Sequence, residues 1–324
     1  MRRKTKSSMR KLCKACVVIV IFCVLCASIF GCASKQGEKQ PSQQGEISFT
    51  DALGNEVTLQ QPQRVICTMG SFAQTWYLAG GKVLATTSDA IEDRKLDLGG
   101  EVENIGTVKQ PNLEKIMALN PDFVILSADI ATHVSAAETL KKAGIPCALF
   151  KVEYFQDYLD MLNILTDITG RKDLYKKNGL AIDAQIKETI AKVDPTKRPT
   201  VLFLRAYSTG AKSKGEDNMV GVMLKDLGAD NIASRHPSLL ETITMEEMMK
   251  ADPDYIFVAT MGASDEEALA ALKDMLFSNK AMQELKAVKN NHYYVLDKEL
   301  FHYKPNHRWA ESYAYLYKLL YETK

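Results

Sequence analysis

Short apolar runs alternate with longer amphipathic stretches over most of the chain. In the first half, apolar runs of strand length cover residues 64–68, 82–86, 123–127 and 147–152. Between these runs, hydrophobic positions recur at helical spacing over residues 72–79, 113–119 and 136–143. Strands that alternate with helices predict a mainly parallel sheet with helices on its faces.

The middle of the chain has no strand signal. Apolar side chains recur at helical spacing from Tyr154 to Leu165, and Gly170 can end that helix. A second helix is predicted over residues 172–192. Alternation then resumes over residues 200–204, 219–227, 255–259, 269–279 and 292–296, before a last helix at 308–321. The pattern predicts an α/β fold of two αβα lobes with mainly parallel sheets, joined by a single long helix.

Two segments of similar sequence suggest that the lobes are related. Residues 112–125 can be aligned with residues 244–257, and both read as a helix, a Pro-Asp turn and a buried strand. Each segment also carries a glutamate eight residues before the turn aspartate, at Glu114 and Glu246. Such a unit can recur by chance in an α/β protein, but the matched glutamates favour duplication.

The first 31 residues are interpreted as a targeting signal. A basic stretch precedes the apolar residues 15–30, a run shorter than the roughly 20 residues that a membrane-spanning helix needs. Residues 28–32, Ser-Ile-Phe-Gly-Cys, resemble a bacterial lipobox, which makes Cys32 the predicted site of lipidation. The polar residues 32–45 would form a flexible tether. An uncleaved signal anchor is the alternative, and both readings place the rest of the chain outside the cytoplasmic membrane.

The distribution of charge argues against nucleic acid as a partner, and the cysteines of the body are expected to be buried free thiols. The net charge is +1, but residues 1–31 hold seven of the 41 basic residues and none of the 40 acidic ones, so the remainder carries −6. A mildly acidic body argues against nucleic acid as a partner, because phosphate binding needs a basic face. Only Cys67 and Cys147 lie beyond the signal and its lipobox, both in apolar runs where buried free thiols are common.

The body resembles the class III substrate-binding proteins of ABC importers, which serve ferric siderophores, haem and vitamin B12. The segments that carry the resemblance are residues 49–59, 62–66, 104–107, 111–114, 120–122, 227–231 and 304–308. The resemblance implies a first lobe at residues 46–153, an inter-lobe helix at 154–170, a second lobe at 171–324 and a ligand held between the lobes. It also implies an ABC permease and its ATPase as partners, with Glu114 and Glu246 as permease-docking residues. Helix-dipole stabilisation is the local alternative for both glutamates.

The predicted cleft residues come from loops that follow strands, since open α/β sheets bind ligands beyond the carboxyl ends of their strands. Arginines suit the anionic oxygens of a ferric chelate, and tyrosines offer apolar area with one hydroxyl. Trp76 and Trp309 are predicted to be packing residues. The predicted ligand contacts are Met69, Ser71, Phe72, Asp89, Arg205, Tyr207, Met261, His302, Tyr303 and Arg308.

The expected function is reversible capture of a ferric siderophore-type chelate by a lipid-anchored, extracytoplasmic receptor, with no cofactor and no catalysis. Haem is an alternative cargo, because one axial His or Met can suffice and His302 or His307 could pair with Met69. Cobalamin is a further alternative. A surface hydrolase is the alternative from a different class, although the chain has no G-x-S-x-G, Walker A or H-E-x-x-H motif. The histidine spacing predicts no bare transition-metal site.

Overall fold

Two α/β lobes, each built on a five-stranded sheet, make up the described part of the chain. The computed structural model describes residues 45–235, 244–262, 264–278 and 280–323. The strands are β1 Ile47–Thr50, β2 Glu56–Leu59, β3 Val65–Cys67, β4 Val83–Thr86, β5 Glu103–Asn104, β6 Gly106–Thr107, β7 Gln110–Pro111, β8 Phe123–Ser127, β9 Cys147–Phe150, β10 Thr200–Tyr207, β11 Gly210–Ser213, β12 Asp230–Asn231, β13 Tyr255–Thr260 and β14 Tyr293–Leu296.

The helices fill the connections between these strands. They are α1 Gly70–Leu78, α2 Leu113–Ala118, α3 Ala131–Lys142, α4 Phe155–Thr169, α5 Lys172–Tyr175, α6 Ala181–Ala191, α7 Met219–Asp226, α8 Ile232–Arg235, α9 Met245–Ala251, α10 Asp265–Leu272, α11 Lys286–Lys289, α12 Lys298–Phe301 and α13 Trp309–Tyr321. A π-helical turn, Lys176–Leu180, joins α5 to α6. No helix in the described ranges is long and apolar enough to cross a membrane.

The sheet of the first lobe is entirely parallel. Its strand order is β5-β4-β3-β8-β9, so the first strand of the sheet, β3, lies in the middle. Side chains alternate between the two faces: Val65 and Cys67 face the layer with α1, whereas Ile66 faces the layer with α2 and α3. The order reverses between β3 and β8, and ligands of open α/β sheets bind at such a switch point.

The sheet of the second lobe repeats this plan with one antiparallel edge. Its order is β11-β10-β13-β14, with β12 beside the start of β10. Strand β10 pairs in parallel with β13 and antiparallel with β11, and its side chains again alternate, with Phe203 on one face and Leu202 on the other. The predicted class, two αβα lobes with mainly parallel sheets joined by a long helix, is confirmed.

The chain passes from the first lobe to the second through α4 and then through α5 and α6. The buried face of α4 carries Tyr158, Leu162 and Leu165, which belong to a hydrophobic core that continues into both lobes. Phe155, at the start of α4, meets Trp309 of the second lobe with ring centroids 5.8 Å apart. Such continuous apolar packing opposes large changes in the angle between the lobes.

The two aligned segments adopt the same local structure. Asn112 caps α2 by accepting the Lys115 amide at 2.9 Å, and Thr244 caps α9 by accepting the Glu247 amide at 3.2 Å. Both helices are followed by a left-handed residue, Asn120 with φ 45° and Asp252 with φ 39°. These matched conformations support the predicted internal repeat.

The aspartates after the two turns also play the same part. Asp122 accepts the amides of Gln63 and Arg64 at 2.7 Å, where β3 begins. Asp254 accepts the Thr200 amide at 2.9 Å and the Thr200 hydroxyl at 2.7 Å, where β10 begins. Each aspartate therefore ties its own strand to the first strand of its sheet.

Two predicted boundaries were wrong, and the N-terminal predictions lie outside the described residues. The predicted strand 200–204 was too short, because β10 continues to Tyr207, where β11 extends its ladder through backbone hydrogen bonds. Helix α3 starts at Ala131 rather than at residue 136. The signal segment 1–31 and Cys32 are not among the described residues, and the proposed domain boundaries stay predictions.

Candidate functional site

A cavity of about 480 Å³ lies between the lobes, at the edge where the strands of both sheets end. Loops after β3, β4 and β8, together with the β6–β7 turn, form the first-lobe wall; the segment after α12 and Gly262 form the second-lobe wall. Five of the predicted contacts line it: Met69, Ser71, Asp89, His302 and Tyr303.

Asp89 supports the loop behind the first-lobe wall. Its carboxylate accepts the Gly70 amide at 2.9 Å, at the start of α1, and the Thr87 hydroxyl at 2.6 Å. Burial raises the pKa of Asp89, against the lowering by these hydrogen bonds and by the Arg94 charge. Asp89 therefore fixes the wall through its own hydrogen bonds. The buried Ser71 Oγ, by contrast, has no hydrogen-bond partner among the described residues, and Ser71 lines the cavity.

The second-lobe wall is aromatic and basic. His302 and Tyr303 lie side by side with ring centroids 5.0 Å apart. Burial, reinforced by the positive charges of Arg205, Lys298 and Lys304, lowers the pKa of His302 to about 4. The imidazole is therefore neutral at physiological pH. Burial also lowers the pKa of Lys304, with a nearby Glu153 acting in the opposite direction.

A second cavity of about 240 Å³ adjoins the first and shares His302 and Lys304 with it. Arg205 lines this cavity and donates from Nε to the sulfur of Met261 at 3.1 Å. The Arg205 guanidinium also lies 5.8 Å from the centre of the Tyr207 ring. Met261 and Tyr207, which were predicted to touch the ligand, thus both contact Arg205 and hold its side chain beside the cavity.

Arg94 is the main cavity residue that the sequence did not predict. Its Nη2 donates to Gln74 at 2.9 Å and to the Lys304 carbonyl at 2.8 Å, so it joins the two lobes. Its buried Nε has no partner in the described part of the chain. Arg94 lies eight residues beyond the end of the predicted strand 82–86, whereas the predicted contact after that strand was Asp89; following that loop further would have reached Arg94. Asp93, Val108 and Lys109 were missed as well.

The cationic side chains that line the two cavities differ in their ion pairing from Arg308, which lies just outside. Among the described side chains, no carboxylate forms an ion pair with Arg94, Lys109, Arg205 or Lys304, all of which line one of the two cavities. Arg308, a predicted contact, instead forms ion pairs with Glu299 at 2.5 Å and Glu311 at 2.7 Å. These carboxylates raise its pKa, and they leave its guanidinium engaged.

Three aromatic residues occupy the core. Phe72, a predicted ligand contact, is only 3% exposed and packs edge-on against Phe150 at 6.4 Å, so this prediction is corrected. It shares the buried face of α1 with Trp76, four residues further on, because residues at this spacing lie on one side of a helix. Trp76 and Trp309 are buried, as predicted. Cys67 and Cys147 are buried free thiols.

Glu114 and Glu246 are exposed at the second position of α2 and α9. Neither carboxylate has a hydrogen-bond or ion-pair partner among the described residues. Both helices precede a strand of a parallel sheet, so they begin at the edge where the strands end. The two glutamates therefore lie at the cleft edge of their lobes, one in each lobe.

One pair of side chains resembles part of a catalytic site but is closed to substrates. The Thr68 hydroxyl lies 3.1 Å from Nδ1 of His133, a pairing that could activate a nucleophile. Both residues are fully buried, so no substrate reaches them. Within the described ranges, no group of three His, Cys, Asp or Glu side chains could hold a metal ion.

Three comparisons with known proteins agree on one family of binding proteins. A family model described as "Periplasmic binding protein" matches residues 65–300. YhfQ of Bacillus subtilis (strain 168), assigned as an ABC transporter substrate-binding lipoprotein, is 26% identical over 300 residues, which cover 87% of this chain and 91% of the relative. The Fe(3+)-citrate-binding protein YfmC of the same strain is 23% identical over 294 residues, with 88% and 90% coverage. The periplasmic catecholate-siderophore binding protein VctP of Vibrio cholerae shares the fold, with a TM-score of 0.67, 18% identity, and coverage of 85% of this chain and 99% of that chain.

Proposed function

The chain belongs to the periplasmic binding protein family and is a class III substrate-binding protein of an ABC importer, and on that premise we propose that its cargo is an anionic ferric chelate of the siderophore type. The cargo binds reversibly between the lobes and is delivered to the permease without being changed. Two relatives support iron as the cargo metal, since one is named for Fe(3+)-citrate and another for a catecholate siderophore.

The observation that carries the anionic assignment is the set of unpaired cations at the cavities. A buried or partly buried charge without a partner is unfavourable, and an anionic ligand relieves that cost. Arg94, Arg205 and Lys304 meet this description, and the exposed Lys109 adds a fourth cation that no described carboxylate pairs, whereas Arg308 is already neutralised by two glutamates. Carboxylate, catecholate and hydroxycarboxylate oxygens accept charge-assisted hydrogen bonds from such groups. Tyr303 and Met69 add apolar area for the organic part of the chelate.

Calorimetry on the purified protein tests the cargo class directly. The panel is ferric citrate, a ferric triscatecholate, a cationic ferric trihydroxamate, haemin and cyanocobalamin. We expect sub-micromolar binding of at least one anionic chelate and weaker binding as salt rises, because salt screens the charges. Equal or tighter binding of the cationic hydroxamate would contradict the anionic assignment. If no compound in the panel binds, ferric chelates would be rejected as the cargo.

Haem is the second candidate, and one observation favours it. Met69 and His302 line the same cavity from opposite lobes. An axial imidazole must be neutral, and the lowered pKa of His302 keeps it so. Saturable haemin binding with a shifted Soret band that disappears in His302→Ala would establish this cargo. Binding with an unshifted band would rule out coordination by His302.

Delivery and anchoring complete the proposal. Glu114 and Glu246 would each meet a basic site on one half of the permease, with both contacts at the cleft edge. A lipid on Cys32 would hold this extracytoplasmic receptor near the permease and raise its effective concentration there. The Cys32→Ala chain should leave the membrane fraction on extraction with salt. Its retention there would support the uncleaved anchor instead.

A further inference from the structure

The turn between β6 and β7 reaches into the inter-lobe cavity. These strands pair antiparallel, with Gly106 opposite Pro111 and Thr107 opposite Gln110, which leaves Val108 and Lys109 as a two-residue turn. Both turn residues line the cavity, and the Lys109 side chain is exposed. Any ligand that fills the cavity therefore meets this turn.

Side chains from the first turn of α3 hold the backbone of the turn. The Val108 carbonyl lies 2.6 Å from Nε2 of His133, and the Lys109 carbonyl accepts the Thr132 hydroxyl at 2.8 Å. Nδ1 of His133 accepts the backbone N–H of Ser127 at 3.1 Å. A backbone amide can only donate, so the proton of the neutral ring sits on Nε2 and is donated to Val108.

His133 thereby connects the turn to the core of the sheet. Ser127 is the last residue of β8, and Thr68, whose hydroxyl lies 3.1 Å from the same Nδ1, directly follows β3. The imidazole is fully buried. The position of Val108 and Lys109 is thus set from the ends of the two central strands.

The same hairpin leads directly into the helix that carries Glu114. The Asn112 amide donates to the Ile105 carbonyl at 2.7 Å, and the Asn112 side chain caps α2. Gly106 has φ 99°, and a Cβ there would lie 2.9 Å from the Gln110 carbonyl, so this point of the hairpin tolerates no side chain. A rigid hairpin whose turn contacts the cavity and whose far end caps α2 can transmit a displacement from one to the other.

We propose that the Val108–Lys109 turn is a cargo contact, that His133 is the positioning residue which fixes it, and that the hairpin reports a loaded cleft to Glu114. The cargo and the docking role of Glu114 rest on the proposed function; the positioning by His133 does not. Loading would further restrain the first turn of α2, which Asn112 already caps, and so favour the docking geometry of Glu114 in the loaded receptor.

Two variants of His133 separate positioning from simple stability. In His133→Gln, the amide nitrogen can occupy the place of Nε2 and still donate to Val108. In His133→Asn, the amide oxygen can occupy the place of Nδ1 and still accept from Ser127, but the bond to Val108 is lost. Each variant loses one side of the ring, so a merely structural role predicts similar behaviour for both. Thr132→Val and Thr132→Ser form a second pair on an exposed residue, with the hydroxyl bond to Lys109 removed or kept.

The first readout needs no cargo. Hydrogen exchange of the Gln110 and Asn112 amides should be at least about tenfold faster in His133→Asn and Thr132→Val than in wild type, and near wild type in His133→Gln and Thr132→Ser. Equal exchange in all variants would overturn the positioning role. This outcome does not depend on whether a ferric chelate binds.

The second readout uses the chelate that binds most tightly in the calorimetric panel. Affinity should fall about two- to fivefold in Lys109→Ala, His133→Asn and Thr132→Val, as expected for one exposed charge contact, and bound chelate should slow exchange of the Lys115 and Ile116 amides in wild type only. If the variants show faster amide exchange in the hairpin but bind the chelate with wild-type affinity, the cargo contact would be refuted while the proposed function stands. Unchanged exchange in α2 on loading would refute the report to Glu114. No binding of any chelate to wild type would refute both the proposed cargo and its contact with the turn, and would leave the cargo-free result to decide the positioning role.

Discussion

The two lobes share a scaffold but present different chemistry to the cavity. Each has a capped helix, a left-handed residue and an aspartate that ties the following strand to the first strand of its sheet. The first lobe lines the cavity with apolar Met69, Val108 and Ile130 among its polar residues, whereas the second contributes His302, Tyr303 and Lys304. The repeated parts lie in the framework, and the parts that differ lie in the loops beyond the strand ends.

This division follows from what each part must do. Helix caps and strand ties satisfy backbone groups, and the same few side chains suit that task in either lobe. The loops carry no such common constraint, so they are free to differ and to form a site of mixed character. The first lobe offers most of the apolar surface, and the second offers the aromatic rings, while each lobe supplies two of the four unpaired cations. The exposed glutamates are the exception, since each lobe presents one at its cleft edge.

Charge reversal of both docking glutamates should have the largest effect. Glu114→Lys together with Glu246→Lys should abolish uptake and leave chelate affinity unchanged, because both side chains are exposed and unpaired. Uptake by cells carrying the variant, with calorimetry on the purified protein, measures the two quantities. Glu266→Lys is the matched control, since Glu266 occupies the same position in α10, after the Ser264 cap. A loss of affinity in the double variant would contradict docking, and unequal single reversals would break the equivalence of the lobes.

Neutralising Lys304 should weaken binding more than removing a cation that is already paired. Lys304→Met should reduce the affinity for the anionic chelate about 10- to 100-fold, since a hydrogen bond to a charged group is worth about 1.5–3 kcal/mol. Arg308→Met should lower the stability but change the affinity less than about threefold, because Glu299 and Glu311 already engage Arg308. Equal losses of affinity in both variants would contradict the distinction between unpaired and paired cations.

The sequence predicted the framework because its signals are local. Alternating apolar runs, Pro-Asp turns and helical spacing depend on neighbouring residues, and the predicted strands and helices recur within a few residues of the observed ones. Strand β11 was not predicted, because it contains few apolar residues and is stabilised by its hydrogen bonds with β10. Tertiary hydrogen bonding, which the sequence pattern does not display, decided that element.

The site was predictable in position but only partly in composition. The rule that ligands bind beyond strand ends led to Met69, Ser71 and His302. It did not reveal that Arg308 is neutralised by Glu299 and Glu311, because a salt bridge depends on side-chain directions that spacing alone does not fix. Arg94 and Lys109 were missed because they lie on a long loop and on a hairpin turn, whose paths depend on the whole lobe.

Acid should destabilise the unliganded protein partly through His302 of the second-lobe wall. Its pKa falls from an ordinary value near 6.5 to about 4 in the fold, so the unfolded chain binds the proton more readily. Stability is therefore present above pH 6.5 and is lost as the pH falls towards 4. We expect a loss on the order of 1–2 kcal/mol from this residue between pH 7 and pH 5.

Urea unfolding of wild type and His302→Gln at both pH values measures this contribution. The variant should lose less stability on acidification than wild type. Some dependence should remain, because burial also lowers the pKa of His133 and His307. An identical loss in variant and wild type would show that the proton is taken up elsewhere, and it would remove the support for a neutral His302 in the cavity wall.

The smallest expected effect tests the shared framework itself. Asp122→Ala and Asp254→Ala should each lower the free energy of unfolding by about 1 kcal/mol, since each removes two hydrogen bonds at a partly exposed site. The two aspartates lie in different lobes and share no partner, so the double variant should lose the sum of the single effects. Urea unfolding of the three variants gives the values, with Asp194→Ala as a control because the Asp194 carboxylate, within the described ranges, bonds to nearby Thr196 alone. A cost confined to one aspartate would mean that the matched geometry of the two segments does not carry matched energy, and the equivalence of the lobes would then hold for shape alone.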